Sequence, residues 1–136
     1  MNRTATSMRV LTELDHVRID RLLSRSQRAS GDTLHSVLDD ADIVPNRQVP
    51  GDVVTMYTRV CVEDPRDGSQ RKLAVCYPED ADPNAGFVSV LSPIGTALLG
   101  RRVGEIVQWS APGGNVQQLR IVELLFQPEA SGDFTL

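Results

Sequence analysis

Residues 91–114 read LSPIGTALLGRRVGEIVQWSAPGG, and this stretch decides the predicted fold. Ser92 is a favourable N-cap residue, and Pro93 suits the first helical position, where an N–H group has no helical partner. Gly100 suits the position just after a helix end, which often takes the left-handed conformation. The stretch therefore predicts a short helix between two strands, followed by a tight turn at the glycines of PGG. None of its side chains forms a nucleophile or metal-ligand pattern, which favours a docking segment over a catalytic one.

The sequence after residue 52 has the pattern of strands. Segments rich in β-branched residues, separated by Gly, Pro and Asp turns, predict strands at residues 53–63, 72–78, 87–91, 105–111 and 115–127. Together with the one short helix, these segments predict an antiparallel sheet of about five strands in the α+β class.

The first 44 residues predict two helices. Thr12 is the expected N-cap of a helix that runs to Arg25, and apolar residues at i, i+3, i+4 and i+7 predict a second helix at residues 33–42. A polar turn between them predicts a short antiparallel helical hairpin. Two prolines then break the helical pattern and mark a stiff linker. The predicted domains are residues 1–44 for the hairpin, 45–52 for the linker and 53–136 for the sheet.

Composition and charge exclude several classes of protein. The 136 residues carry a net charge of −4, whereas an independent nucleic-acid-binding domain has a basic surface. No apolar run approaches the ~20 residues of a membrane-spanning helix, and the N-terminus lacks the apolar segment of a signal peptide. Cys61 and Cys76 match no zinc or redox spacing; a disulfide between neighbouring strands is one alternative, and two thiols in a reducing cytoplasm are favoured. We therefore expect a monomeric cytoplasmic protein with no membrane contact.

Candidate catalytic and metal-ligating residues are few. No serine or cysteine nucleophile motif occurs, and His16 and His35 lie on different predicted helices, which argues against a shared metal site. We therefore predict no enzyme activity, no metal and no cofactor. One alternative concerns the tip of the hairpin, where Arg28 and Asp32 lie. A carboxylate at such a tip would hold Mg²⁺ inside a partner, but a role for Asp32 as a helix cap is favoured because the next acids lie two to three turns away.

Motifs spread over nearly the whole chain resemble one known family. They are LDHVRIDRLL at 14–23, DVVTMYTRV at 52–60, LSPIGTALLGRRVGE at 91–105, PGG at 112–114 and QPEASGD at 127–133. On these motifs the chain resembles the nucleoside diphosphate kinase regulator (Rnk) family, which is related to the Gre transcript-cleavage factors. The resemblance implies an FKBP-like C-terminal domain and a short N-terminal coiled coil. It also implies binding to RNA polymerase near its secondary channel, with Leu91, Ser92 and Pro93 as the partner-binding residues.

The hairpin departs from the Gre pattern in a way that bears on function. Gre factors carry a long coiled coil with an acidic tip, whereas this tip is arginine-rich and has the single acid Asp32. The resemblance therefore predicts a non-catalytic transcription-associated regulator that competes with Gre-type factors and affects nucleoside diphosphate kinase indirectly. Its contact with DNA would be indirect, through the polymerase, without sequence-specific binding of its own. Two alternatives stay open: a peptide-binding FKBP-like module, and a transcript-cleavage factor that acts in trans through Asp32.

Overall fold

A computed structural model describes residues 9–25, 31–110 and 113–132 of the chain. Three helices occur in these ranges: α1 (Glu13–Arg25), α2 (Gly31–Asp40) and α3 (Pro93–Leu98). The strands are β1 (Val10–Thr12), β2 (Asp42–Val44), β3 (Arg59–Glu63), β4 (Gln70–Cys76), β5 (Phe87–Ser89), β6 (Ile106–Ser110) and β7 (Val116–Phe126). None of the described helices has the length and hydropathy needed to cross a membrane.

The main sheet is mixed, with strand order β5-β4-β3-β7-β6, so the predicted antiparallel, FKBP-like sheet is wrong. Strand β5 runs parallel to β4, with Phe87 opposite Ala74, whereas the other pairs are antiparallel. The reason lies in residues 77–86, which connect β4 to β5. Two prolines there begin the 3-10 turns Pro78–Asp80 and Pro83–Ala85. The segment with these turns is a crossover connection, which a parallel pair of strands needs in place of a hairpin turn.

The two N-terminal helices are present near their predicted bounds, but the predicted coiled coil is wrong. In a coiled coil the apolar stripes would be buried between the two helices alone. Here Ile19 and Leu23 of α1, and Leu34 of α2, belong to one buried cluster with sheet residues. Strands β1 and β2 form a parallel pair. This pair is linked to the rest of the protein by a hydrogen bond that Val10 N–H donates to the carbonyl of Gly100, at 3.1 Å. The helices therefore pack against the sheet.

One apolar core includes residues from both sides of the predicted linker. Gln127 also ties the end of β7 to that linker, because its Nε2 donates to the carbonyls of Pro50 and Val53, each at 2.8 Å. The division into domains 1–44 and 53–136 stays a prediction. The largest fully buried side chains are Leu11, Ile19, Leu34, Leu98, Leu99, Ile121, Val53, Val54, Val60, Val62, Val75 and Val90.

Two local expectations for the sheet are confirmed. Gly113 and Gly114 have φ angles of 93° and 88°, as a tight turn between the antiparallel strands β6 and β7 requires. Cys61 and Cys76 are free thiols on β3 and β4, so the disulfide alternative does not hold. Burial, with the nearby charges of Asp80 and Glu79, raises the pKa of the Cys76 thiol to about 11.

Candidate docking surface

The loop before α3 is held by hydrogen bonds of its own residues. Ser92 is the N-cap of α3, as predicted, because its Oγ accepts from Gly95 N–H at 3.1 Å. The same Oγ donates to the carbonyl of Ser89 at 2.6 Å, and Leu91 N–H donates to Ser89 Oγ at 3.0 Å. The N–H groups of Leu91 and Gly95 thus both have a serine side-chain partner, and these hydrogen bonds hold the loop in one conformation.

Gly95 allows the end of β5 to approach the first turn of α3. A Cβ built at this position would lie 2.0 Å from the carbonyl oxygen of Ser89, far inside van der Waals contact. The sequence alone allows either close approach of another backbone or simple internal packing at this glycine. The structure decides for close approach, which explains a glycine at a position where alanine would be a better helix former.

The structure brings Leu91, Ser92 and Pro93 together at one surface. Pro93 is exposed, and the other two side chains are half-buried. Beside them lies a groove of about 420 Å³, which we call the docking groove. It is lined by Arg9, Leu91, Pro93, Thr96, Ala97, Gln108, Trp109 and Ser110.

Trp109 contributes an aromatic side chain to the docking groove. It lies on β6, is half-buried, and lines the groove together with Pro93 and Ala97. An indole ring offers a large rigid apolar surface at low entropic cost, which is why tryptophan is frequent at binding sites. Its place beside a Ser-Pro loop could not be read from the spacing of these residues, because it depends on how α3 lies against β6.

Arg9 closes the far end of α3, a role that sequence reasoning missed. Its Nη1 donates to the carbonyl of Leu99 at 3.0 Å and also to the carbonyl of Thr96. Burial, with the nearby charge of Arg101, lowers the pKa of Arg9 to about 10. Arg101 and Arg102 are also cations that follow this helix end in the sequence. Those two side chains reach the carboxylates of Glu105 and Asp52 respectively, each at 3.7 Å.

A buried carboxylate joins α1 to the segment before β3. Asp15 is 3% exposed, and its Oδ2 accepts from Met56 N–H at 3.0 Å. Thr12 Oγ1 accepts from Asp15 N–H at 3.0 Å, so Thr12 is the N-cap that the sequence predicted. Burial raises the pKa of Asp15 to about 6, the hydrogen bond from Met56 partly offsets this rise, and the charge of Glu129 adds to it. No local sequence pattern indicates this contact, since its partners are far apart in the chain.

The predicted hairpin tip lies at the edge of the described ranges. Arg28 lies outside the described residues, and Asp32 lies in the first turn of α2. His16 is half-buried on α1 and His35 is exposed on α2. Within the described ranges, no group of three or more His, Cys, Asp or Glu side chains is arranged to hold a metal ion.

Known proteins similar to this chain carry the same domain. The family model described as "Transcription elongation factor, GreA/GreB, C-term" matches residues 49–125. The regulator of nucleoside diphosphate kinase from Escherichia coli (strain K12) is 39% identical over 130 residues, which are 93% of this chain and 96% of that protein. Transcription elongation factor GreA from Thermotoga neapolitana is 37% identical over 91 residues, covering 67% of this chain and 57% of that protein.

A solved structure agrees with these relatives. The prokaryotic transcription elongation factor GreA/GreB from Nitrosomonas europaea has a TM-score of 0.75 and 33% identity, with 88% of this chain and 98% of that chain covered. The mixed sheet with its capped helix is therefore a GreA/GreB-like fold, rather than the FKBP-like fold that the resemblance implied. The chain belongs to the family of regulators of nucleoside diphosphate kinase, as its motifs predicted. It is a transcription-associated regulator related to the Gre factors.

Proposed function

We propose that the protein binds RNA polymerase near its secondary channel and competes there with Gre-type factors. The observation that carries the proposal is the prearranged loop 91–93, which presents Pro93 beside the docking groove in a domain shared with GreA/GreB factors. A loop whose hydrogen bonds are already made loses little conformational entropy on binding. Leu91 and Ser92 would set the position of the loop, and Pro93 and Trp109 would provide its apolar contact surface.

The N-terminal part supports a competitor rather than a cleavage factor. Helices α1 and α2 have 13 and 10 residues, so at ~1.5 Å per residue the longer one extends only about 20 Å. Their apolar faces are also used against the sheet instead of along a projecting arm. The protein would therefore occupy a channel entrance without delivering a metal-binding acidic tip into it. In this proposal the protein is a non-catalytic cytoplasmic monomer, and it affects nucleoside diphosphate kinase indirectly, through transcription.

Competition for purified core RNA polymerase is the direct test. Fluorescently labelled GreA is displaced from the polymerase by increasing amounts of this protein, and the inhibition constant is measured. We expect Pro93→Ala to weaken displacement by about tenfold, as expected for an apolar side chain near the centre of an interface. Pro65→Ala, at an exposed turn position outside the docking groove, is the matched control and should compete like the native protein.

Several results would contradict the proposal. Failure of the native protein to displace GreA rejects the shared site, and equal displacement by both proline variants rejects the role of the loop. Shortening of the transcript in backtracked complexes on addition of this protein would make it a cleavage factor instead. A change in nucleoside diphosphate kinase level that persists with Pro93→Ala in cells would separate that effect from polymerase binding.

A further inference from the structure

A second groove lies along α1 and shares no lining residue with the docking groove. We call it the arginine groove. Its volume is about 290 Å³, and it is notable for three cations in a protein whose net charge is −4. Its lining residues are Arg18, Arg21, Leu22, Arg25, Tyr77 and Glu79.

Helical spacing places the three arginines on one face of α1. Arg18, Arg21 and Arg25 follow each other at i, i+3 and i+7, so their side chains emerge along one stripe about 10 Å long. An interaction with the negative end of the helix dipole is one explanation for cations on this helix. That account fits only Arg25, which lies in the last turn, because the dipole effect fades beyond the terminal turn. The other two cations need a separate explanation.

Arg18 is positioned by its surroundings. Its side chain is half-buried, and its charge acts on both the Asp15 carboxyl and the Tyr77 hydroxyl. Burial raises the pKa of both groups, and the charge of Arg18 opposes that rise in each case. This guanidinium group therefore lies near both polar groups and is less exposed than the other two arginines of the groove.

Arg21 and Arg25 have the opposite character. Both are exposed, and neither makes an ion pair or side-chain hydrogen bond with the residues that the structure describes. Each guanidinium keeps five N–H donors in a planar fork that matches the oxygens of a phosphate or carboxylate. The groove thus combines one half-buried cation with two exposed cations.

The remaining lining residues narrow the class of ligand. Tyr77 and Leu22 are half-buried and provide an apolar wall, which suits a planar base more than a simple anion. Glu79 is a hydrogen-bond acceptor that would repel a bare polyphosphate but can accept from ribose hydroxyls or a base amino group. A volume of about 290 Å³ is near the lower end of small-molecule sites, which typically begin at roughly 300 Å³.

We propose that the arginine groove binds a nucleoside diphosphate or triphosphate. The phosphates lie on Arg21 and Arg25, with Arg18 behind them, and the base lies against Tyr77. Glu79 accepts hydrogen bonds from the ribose or the base. This binding does not require RNA polymerase, so it goes beyond the function proposed above and can be tested on the purified chain.

Three probes separate the parts of the proposal. ADP, inorganic pyrophosphate and adenosine are each titrated into the full-length protein at low ionic strength, by calorimetry and by thermal unfolding. We expect ADP to bind saturably and to raise the unfolding temperature, because a ligand that binds only the folded state stabilises it. Pyrophosphate should bind more weakly than ADP, and adenosine should have no effect. Absence of ADP binding, or pyrophosphate binding as tight as that of ADP, would overturn the proposal.

Matched charge variants test the location. The double variant Arg21→Gln with Arg25→Gln should bind ADP about tenfold more weakly or worse, since two charge-assisted hydrogen-bonding groups are lost. The control is Arg71→Gln with Arg120→Gln, two exposed arginines on β4 and β7 whose loss changes the net charge equally. The control should bind ADP like the native protein. Equal weakening in both double variants would overturn the proposal, because the effect would then be one of overall charge.

A last arm distinguishes a nucleotide from nucleic acid. A single-stranded RNA hexamer is titrated into the native protein, and its affinity is compared with that of ADP at the same salt concentration. RNA binding that is tighter than ADP binding and that is lost in the Arg21→Gln, Arg25→Gln variant would assign the groove to a phosphodiester backbone and refute the nucleotide assignment. Weak RNA binding that ADP displaces agrees with the proposal.

Discussion

Replacing Asp15 with asparagine should change how the stability of the protein depends on pH. The carboxyl group is buried under α1 and accepts a hydrogen bond from Met56 N–H at 3.0 Å. Burial raises its pKa from the ordinary value of 3.8 to about 6, an effect that the charge of Arg18 opposes. Asparagine keeps an oxygen that can accept from Met56 N–H, but it has no proton to lose. The substitution therefore removes the titration and leaves the contact.

The direction of this pH effect depends on whether the folded or the unfolded state binds the Asp15 proton more tightly. Because the folded protein binds this proton better than the unfolded chain does, protonation stabilises the folded state fully below about pH 4. That stabilisation is lost as pH rises through the folded-state pKa of about 6. A difference of about 2 pKa units corresponds to about 3 kcal/mol, at 1.36 kcal/mol for each unit. Relative to Asp15→Asn, native protein should thus lose about 2 kcal/mol of stability between pH 4 and pH 7.5, because the unfolded carboxyl group is already partly ionised at pH 4.

Urea unfolding at a series of pH values measures this effect. The free energy of unfolding is determined for native protein and for Asp15→Asn from pH 4.0 to pH 7.5, and the difference between them is plotted against pH. Titration of other groups cancels in this difference. Asp39→Asn, at an exposed position on α2, is the control and should give a flat difference curve. A flat curve for Asp15→Asn as well would refute the reasoning about burial.

Three other substitutions test the frame around α3, each by urea unfolding at pH 7.5. Gly95→Ala should destabilise the fold by about 2 kcal/mol or more, because its Cβ would lie 2.0 Å from the carbonyl oxygen of Ser89 and must displace backbone; a neutral effect would contradict the close approach. Ser92→Ala should cost about 1 kcal/mol through loss of the N-cap, and Ser92→Thr should recover much of it. Arg9→Met should lower the free energy of unfolding by about 2 kcal/mol, because two carbonyls, including that of Leu99, lose a charged donor. An unchanged free energy of unfolding would show that water replaces the guanidinium.

The sequence predicted the elements whose signals are close together. Ser92, Pro93 and Gly100 lie within nine residues, and together they specified where α3 begins and ends. The turn at Gly113 and Gly114 was predictable for the same reason, since only residues that tolerate positive φ suit it. Family motifs then identified the class of protein, because they extend along nearly the whole chain.

Features that depend on distant residues could not be predicted in this way. Arg9 donates to the carbonyl of a residue 90 positions later in the chain. Asp15 accepts from the backbone N–H of a residue 41 positions later. Neither pair leaves a periodic pattern or a local motif. The direction of β5 is a similar case, because alternation of apolar residues indicates a strand but says nothing about whether its neighbour is parallel or antiparallel.

The position of the proposed docking loop depends on the strand whose direction the sequence did not reveal. Ser89 ends β5, where it lies opposite Cys76 in the parallel pair, and its carbonyl accepts from both the N–H and the Oγ of Ser92. The start of α3 is therefore attached to β5, and β5 is placed by the crossover through residues 77–86. Local sequence signals give this loop its conformation, whereas the long-range sheet topology places it beside Trp109. A substitution in the crossover that shifts β5 should therefore weaken the proposed binding to RNA polymerase, measured by displacement of labelled GreA, even when α3 itself stays intact.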